Sequence, residues 1–173
     1  MQLETARLIL SPLTERDWPL FQQLQQNPQV MAFVADRRDE TEVRQHFESR
    51  LPAWNKESHH WLCLVIRLRK TGEAIGVTGF MPEWAPYRQA EIGYMLLPAF
   101  QGQGYATESL NAVCDYAFEL GFHRLKALVV EGNRASRRVL EKCGFAWEGT
   151  LRDNYLLGGE WENDWLLARI APE

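Results

Sequence analysis

The chain has 173 residues, of which 46% are hydrophobic and 24% are charged, and its formal net charge is −4. This composition is typical of one globular domain with an ordinary core, so we expect residues 1–173 to form a single domain. No stretch approaches the roughly 20 apolar residues of a membrane span, and no basic stripe marks a nucleic-acid surface, so we expect the protein to bind neither membrane nor nucleic acid. The sequence does not open with a signal-peptide pattern, so we expect a cytoplasmic protein.

The hydrophobic pattern predicts strands and helices that follow one another without a linker. The first half is predicted to hold a strand at 8–13, a helix after a capping box at 14–17, and a helical region from 43 to 54 with a kink or boundary at Pro52. Strands at 61–66, 74–81 and 90–97 follow, and then a helix that begins at 106 and ends at Gly121. The last predicted elements are a strand at 125–130, a helix at 135–143 and two strands on either side of a Gly158-Gly159 turn. Because hairpins and crossovers coexist in this order, we expect a mixed sheet partly covered by helices.

The three cysteines, Cys63, Cys114 and Cys143, form no CxxC pair and lie at apolar-periodic positions. An odd number without metal-ligand spacing argues against a disulfide framework or a zinc site. We therefore expect buried free thiols and no bound metal. A nucleophilic Cys143 is the second interpretation.

The segment from Ala90 to Glu108 carries the most chemical information. A buried strand leads into Pro98, a glycine-containing turn and a helix that starts near Gly104. The first N–H groups of a helix lack partners and the helix dipole adds positive charge, so this turn predicts an anion site. Gly102 and Gly104 leave the backbone bare and permit the positive φ that the turn needs.

The residues after the glycines separate three kinds of phosphate site. A P-loop would place Lys-Ser/Thr where this chain has Tyr105-Ala106. A dinucleotide-binding fingerprint would have glycine or alanine where this chain has Thr107. It would also have an acidic residue about 20 positions further along, and Glu131 lies somewhat beyond that position. The pattern Gln101-x-x-Gly104-x-Ala106 matches a third kind.

That pattern resembles the coenzyme A pyrophosphate loop of the GNAT superfamily of N-acetyltransferases. The resemblance covers nearly the whole chain and is to the Rim-type branch, which is best known for acetylating ribosomal-protein N-termini. The segments that carry it are Thr5-Ala-Arg-Leu-Ile-Leu, Asn27-Pro-Gln-Val-Met, Ala90-Glu-Ile-Gly-Tyr, Asn133-Arg-Ala-Ser136, Glu141-Lys-Cys-Gly-Phe145 and Glu148-Gly149.

The resemblance implies an α/β (in some schemes α+β) fold and acetyl-CoA as co-substrate. Its sheet is mixed, mostly antiparallel, with six to seven strands and about four helices, and it splays into a V between the strands that end near Leu97 and Val130. The residues implied to hold the coenzyme are Met95, Leu96 and Leu97 at the strand end, Gln101, Gly102, Gln103, Gly104, Tyr105, Ala106 and Thr107 at the pyrophosphate, Asn133 at the pantetheine amide and Ser136 near the sulfur.

Acetyl transfer to an amine needs a proton acceptor, because an alkylamine is mostly protonated at neutral pH. Glu91 is the candidate base: it lies in an apolar strand, where burial raises a carboxylate's proton affinity, and similar superfamily members place a general-base glutamate there. An ion pair with Arg88 or Arg7 is the structural alternative, and a base acting through a water chain also stays open.

The departing thiolate needs a hydrogen-bond donor or an acid. Many superfamily relatives use a tyrosine where this chain has Val139-Leu140-Glu141, which shifts that role to Ser136. Serine is a poor acid, so Ser136 either protonates the thiolate or only hydrogen-bonds it. Asn133 and Ser136 also suit simple helix capping.

The acceptor is an amine, either a protein N-terminus or a small molecule. Trp84 is a candidate wall of its pocket and Tyr155 a candidate lining residue, although Tyr155 also fits ordinary sheet packing. Asn154-Tyr155 departs from the acidic side chain that ribosomal-protein acetylating relatives tend to carry there. A coenzyme-binding sensor without turnover is the non-enzymatic alternative, and a homodimer stays open.

Overall fold

A computed structural model describes residues 1–173. The strands are β1 (Leu3–Glu4), β2 (Leu8–Pro12), β3 (Leu62–Leu68), β4 (Ala74–Glu83), β5 (Gln89–Leu96), β6 (Arg124–Val130), β7 (Ala146–Leu157) and β8 (Glu160–Ile170). The helices are α1 (Trp18–Gln26), α2 (Pro28–Met31), α3 (Glu40–Ser49), α4 (Tyr105–Glu119) and α5 (Arg134–Lys142), and short 3-10 turns lie at Glu15–Asp17 and Pro98–Phe100.

All eight strands form one sheet in the order β1-β2-β3-β4-β5-β6-β8-β7. Neighbouring strands are antiparallel except β5 and β6, which are parallel. The mixed sheet was predicted, but its strand number exceeds the predicted six to seven because of the two-residue β1. The fifth helix is the four-residue α2, capped by Asn27. Elements of two to four residues are too short to show a hydrophobic periodicity, so they could not be predicted from the sequence.

The sheet opens between β5 and β6. The two strands pair only at Gln89–Arg124, Ala90–Leu125 and Glu91–Lys126, although β5 continues to Leu96 and β6 to Val130. Beyond Glu91 the backbone edge of β5 that faces β6 therefore has no strand beside it. The predicted V-shaped splay is confirmed.

Two hydrophobic cores lie on opposite faces of the sheet. The first core packs α4 and α5 against the sheet, and the second packs α1 and α3 against it. Side chains alternate between the faces of a strand, so β5 presents Ala90, Ile92 and Leu96 to the first core and Met95 to the second. Glu91 shares the face of Met95, which is the face covered by α1 and α3.

Two local predictions concern helix ends. The capping box is confirmed, since the backbone N–H of Thr14 donates to the Asp17 carboxylate at 2.8 Å. Of the two alternatives at Pro52, a kink or a boundary, the boundary is confirmed, because α3 ends at Ser49 and Trp54 lies outside it. Leu51 precedes Pro52, and a residue before proline avoids the helical conformation. None of the helices combines the length and the apolar character needed to cross a membrane.

Candidate active site

The turn before α4 forms a row of free backbone donors. Gly102 and Gly104 have φ of +74° and +84°, and Glu108 is the first residue whose N–H donates back into the helix, to the Gly104 carbonyl at 3.0 Å. No N–H of residues 102–107 donates a hydrogen bond within the chain. These free donors at the positive end of a 15-residue helix suit a diphosphate.

Arg7 braces this turn from the N-terminal segment. Its Nη1 donates to the Gln103 carbonyl at 3.0 Å, its guanidinium lies 4.2 Å from the centroid of the Tyr105 ring, and its Nε pairs with Glu108 at 2.8 Å. Burial raises the pKa of the Glu108 carboxyl, but hydrogen bonds from Thr5 and Arg7 outweigh burial and leave that pKa below its ordinary value. The sequence marked Thr5-Ala-Arg7 as part of a resemblance but did not predict this bracing role.

The end of β5 offers peptide groups to the opening. The N–H of Leu97 donates to Ile75 of β4 at 2.9 Å, so it points away from β6. Because neighbouring peptide groups in a strand point to opposite sides, those of Leu96 face the opening. The Leu96 carbonyl accepts a hydrogen bond from the Gln101 side chain at 3.0 Å, which joins the strand end to the turn.

Glu91 lies at the apex of the V and is partly buried. Burial raises the pKa of its carboxyl, with smaller increases from Glu83 and Asp164, while Lys126 lowers it. The net direction is upward, which suits a group that must take a proton from an amine.

The Glu91 carboxylate has no hydrogen-bond or ion-pair partner in the chain. Lys126 lies 3.1 Å from Glu83, Arg7 pairs with Glu108, and Arg88 donates to the Gly121 carbonyl at 3.1 Å. The structural alternative, an ion pair of Glu91 with Arg88 or Arg7, is therefore wrong. A carboxylate without a partner at this point is free to act as a base.

Ser136 is joined to Tyr94 across the opening. The Ser136 hydroxyl, in the first turn of α5, lies 3.1 Å from the Tyr94 hydroxyl of β5. Asn133 caps α5, since its Oδ1 accepts the Ser136 N–H at 3.3 Å, so the capping interpretation is confirmed and the Asn133 amide nitrogen keeps its donors. Burial raises the pKa of Tyr94, the hydrogen bond with Ser136 lowers it and Cys143 raises it.

Tyr94 is the residue that sequence reasoning missed. It was assigned to the apolar run of β5, where a phenol ring packs as well as any apolar side chain. The signal in the sequence was its position, because this side chain carries a hydroxyl two residues before the end of the strand that borders the opening. Its contact with Ser136 supplies a tyrosine hydroxyl from the strand, although α5 carries no tyrosine.

The three cysteines are buried free thiols, as predicted. The Cys143 Sγ donates to the Thr107 carbonyl at 3.5 Å, and burial raises the pKa of this thiol to about 11. Little thiolate exists at neutral pH at such a pKa, and the thiolate is the nucleophilic form. This geometry disfavours a covalent route through Cys143.

The structure separates the two residues predicted to contact the acceptor. Trp84 packs edge-on against Phe122 of the first core at 5.2 Å and its ring lies under Lys56. It follows β4 beside the closed end of the V and is partly buried, and its role as a wall of the acceptor pocket stays a prediction. Tyr155 instead donates its hydroxyl to the Val34 carbonyl, beside the second core.

Comparison with known proteins identifies the family. A family model for the GNAT acetyltransferase domain matches residues 7–146. The N-acetyltransferase YoaA of Bacillus subtilis is 34% identical over 154 residues, covering 87% of this chain and 85% of that protein. The chain belongs to the GNAT acetyltransferase family, as the resemblance implied, and it is an N-acetyltransferase.

Two further relatives carry names that specify an acceptor. Spermidine N(1)-acetyltransferase of Escherichia coli K12 is 26% identical over 155 residues, covering 89% of this chain and 81% of that protein. The structure of RimL, a ribosomal L7/L12 α-N-protein acetyltransferase in complex with coenzyme A, is 25% identical, covers 98% of both chains and has a TM-score of 0.83. The predicted fold is confirmed by this similarity.

Proposed function

We propose that the chain moves an acetyl group from acetyl-CoA to a primary amine by direct attack, without an acetylated enzyme. The observation that carries this proposal is the row of free N–H groups at residues 102–107 beside the open edge of β5. The coenzyme fits these residues chemically: the diphosphate takes the N–H groups, and the pantetheine arm takes the peptide groups of Leu96, which face the opening. Met95 and Leu97 direct their peptide groups towards β4, so only Leu96 of these three predicted residues offers its backbone to the arm. The amide of Asn133 is the remaining donor for the arm.

The two proton transfers of the reaction are carried out by groups on opposite faces of the sheet. Glu91, on the face covered by α1 and α3, receives the proton that the amine loses when its nitrogen bonds to the acetyl carbon. The carbon–sulfur bond breaks, and the sulfur receives its proton from the hydroxyl pair of Ser136 and Tyr94 on the face of α5. An ammonium acceptor first loses one proton to solvent; the neutral amine then gives one proton to Glu91 while the hydroxyl pair gives one to the sulfur. Exchange with water afterwards removes the proton from Glu91 and returns one to the hydroxyl pair, which closes the balance.

The test of this function is amine-dependent release of thiol from acetyl-CoA over a panel of primary amines that includes peptide N-termini and polyamines. We expect release with at least one amine, together with coenzyme binding by calorimetry. Binding without release from any amine would support the sensor alternative, and absence of binding would overturn the coenzyme site itself.

A further inference from the structure

Arg38 and Arg50 are two partly buried arginines without a carboxylate partner. Neither takes part in an ion pair. Arg38 donates through Nη1 to the side chain of Gln25 at 2.6 Å, and Arg50 donates through Nη1 to the His46 carbonyl at 2.9 Å. Each guanidinium has five N–H donors, so most of the donors of both arginines remain free.

The two arginines contact successive turns of α1: the Arg50 guanidinium lies 5.6 Å from the centroid of the Phe21 ring, and Arg38 donates to Gln25, four residues further on. Burial lowers the pKa of His46, and the charges of Arg38 and Arg50 lower it further, against an opposing increase from Glu42. Burial likewise lowers the pKa of Arg50, and Arg38 adds to that effect. Two like charges held close together in a partly buried place cost free energy unless an anion accompanies them.

Each arginine is separated by one side chain from the face of β5 that carries Glu91. The Arg50 guanidinium lies 5.8 Å from the centroid of the Trp61 ring, and that ring lies 3.2 Å from where a Cβ on Gly93 would stand. Gln25, the partner of Arg38, contacts the Met95 sulfur at 3.9 Å. Gly93 follows Glu91 by two residues, which is about 7 Å along a strand.

Two acidic side chains near this place accept hydrogen bonds, Asp164 on β8 and Asp36 in the segment that also carries Arg38. Asp164, which is 5% exposed, accepts a hydrogen bond from Asn154 at 2.8 Å, and Asp36 accepts one from the Gly158 N–H at 2.7 Å. Both donors are neutral, so these two carboxylates keep their charge, whereas Arg38 and Arg50 supply positive charge that no ion pair neutralises.

We propose that Arg38 and Arg50 bind a carboxylate of the acceptor, so that the acceptor is a primary amine that also carries a carboxylate. This inference rests on the proposed function. Guanidinium groups match the planar geometry of a carboxylate, and binding it brings the amine of the same molecule towards Glu91. A polycation such as spermidine meets two like charges at this place, so the acceptor differs in class from that named for the Escherichia coli relative.

The experiment compares amines that differ only in the carboxylate. Glycine, β-alanine and 4-aminobutyrate are each paired with the alkylamine left when the carboxylate is removed, and spermidine is run beside them. We expect kcat/KM for thiol release from acetyl-CoA to favour the best carboxylate member at least tenfold, which corresponds to about 1.4 kcal/mol. Arg50→Gln and Arg38→Gln should each remove most of that preference and leave the rate with the alkylamine unchanged.

Arg37→Gln is the matched control, because Arg37 is exposed, adjoins Arg38 and makes no hydrogen bond or ion pair. It should retain the full preference, and thermal unfolding of each variant should show that the fold is intact. A wild-type preference for the alkylamines or for spermidine would overturn the inference, as would a preference that survives both arginine substitutions.

A binding measurement separates this inference from the proposed function. Protein saturated with coenzyme A is titrated calorimetrically with succinate and with inorganic phosphate, so that the turn at 102–107 is already occupied. We expect succinate to bind more tightly than phosphate, and to lose at least tenfold in affinity in Arg50→Gln but not in Arg37→Gln. Succinate binding without turnover of any amine rejects the proposed function alone, whereas turnover without succinate binding or carboxylate preference rejects the anion site alone.

Discussion

The coenzyme side and the acceptor side of the opening are built in different ways. The proposed coenzyme side presents the free backbone N–H groups of one continuous stretch, residues 102–107, at the start of one helix. The proposed acceptor side presents side chains from distant segments: Gln25 and Arg38 near the N-terminus, Arg50 and Trp61 further on, and Glu91 on β5. Function on the first side depends on turn geometry, and on the second side it depends on which side chains the tertiary fold brings together.

The largest effect should come from Glu91→Gln on the acceptor side. We expect kcat to fall by about 100-fold or more, the usual contribution of a general base, while the Kd for coenzyme A stays within about twofold of wild type. Steady-state thiol release and calorimetry measure the two quantities. Glu119→Gln, at the exposed end of α4, is the control and should change neither. A loss of coenzyme A affinity in Glu91→Gln would show that Glu91 also supports coenzyme binding, which would contradict the separation of the two sides.

The pH dependence of the same residue sharpens the comparison. Burial raises the pKa of Glu91, so the acidic limb of kcat/KM should lie above the ordinary glutamate value of about 4.3, and Glu91→Gln should lack that limb. Because the folded state holds this proton more tightly than the unfolded chain, the contribution of Glu91 to stability is present below the unfolded pKa and is lost as pH rises through the raised pKa. Urea unfolding of both proteins across this range measures the second effect.

The next largest effect concerns the coenzyme side. Gly104→Val should weaken coenzyme A binding about tenfold or more, a loss of at least 1.4 kcal/mol, because a side chain covers the free N–H groups and φ of +84° strains a branched residue. Gly72→Val is the strain-matched control, since Gly72 has φ of +76° and open space around it. Equal affinity in the two variants would remove the phosphate role of the turn.

A smaller effect is expected at the hydroxyl pair. Tyr94→Phe should lower kcat by about tenfold, the value of one hydrogen bond to a developing charge, and Ser136→Ala should act similarly. Because the two hydroxyls form one unit 3.1 Å apart, the double variant should lose less than the product of the single losses. Tyr116→Phe is the control on α4. Fully multiplicative losses would show that Tyr94 acts independently of Ser136.

The smallest effect should follow Cys143→Ala. This thiol is 2% exposed and its pKa is raised to about 11, so direct transfer predicts an unchanged kcat and no acetylated enzyme by mass spectrometry. Truncating this small buried side chain should cost about 1 kcal/mol of unfolding free energy. An acetyl-thioester on wild-type Cys143, with loss of turnover in the variant, would establish the covalent route instead.

The sequence predicted the coenzyme side of the site better than the acceptor side. The glycine turn before α4 and the cap at Asn133 were predictable because each depends on neighbours within a few residues. The role of Tyr94 was not, because an aromatic side chain in a strand packs equally well in a core or beside a cleft. Arg38 and Arg50 carry no local signal at all: only the packing of α1 and α3 over β5 shows that they lack an acidic partner.

The attachment of the β7–β8 hairpin to the segment between α2 and α3, through Tyr155 with Val34 and Gly158 with Asp36, has an evolutionary and a practical consequence. Substitutions in either segment shift the docking of the other, so we expect changes of acceptor preference among relatives to arise as correlated changes in both. An engineer who grafts a loop from a relative should therefore transplant both segments together.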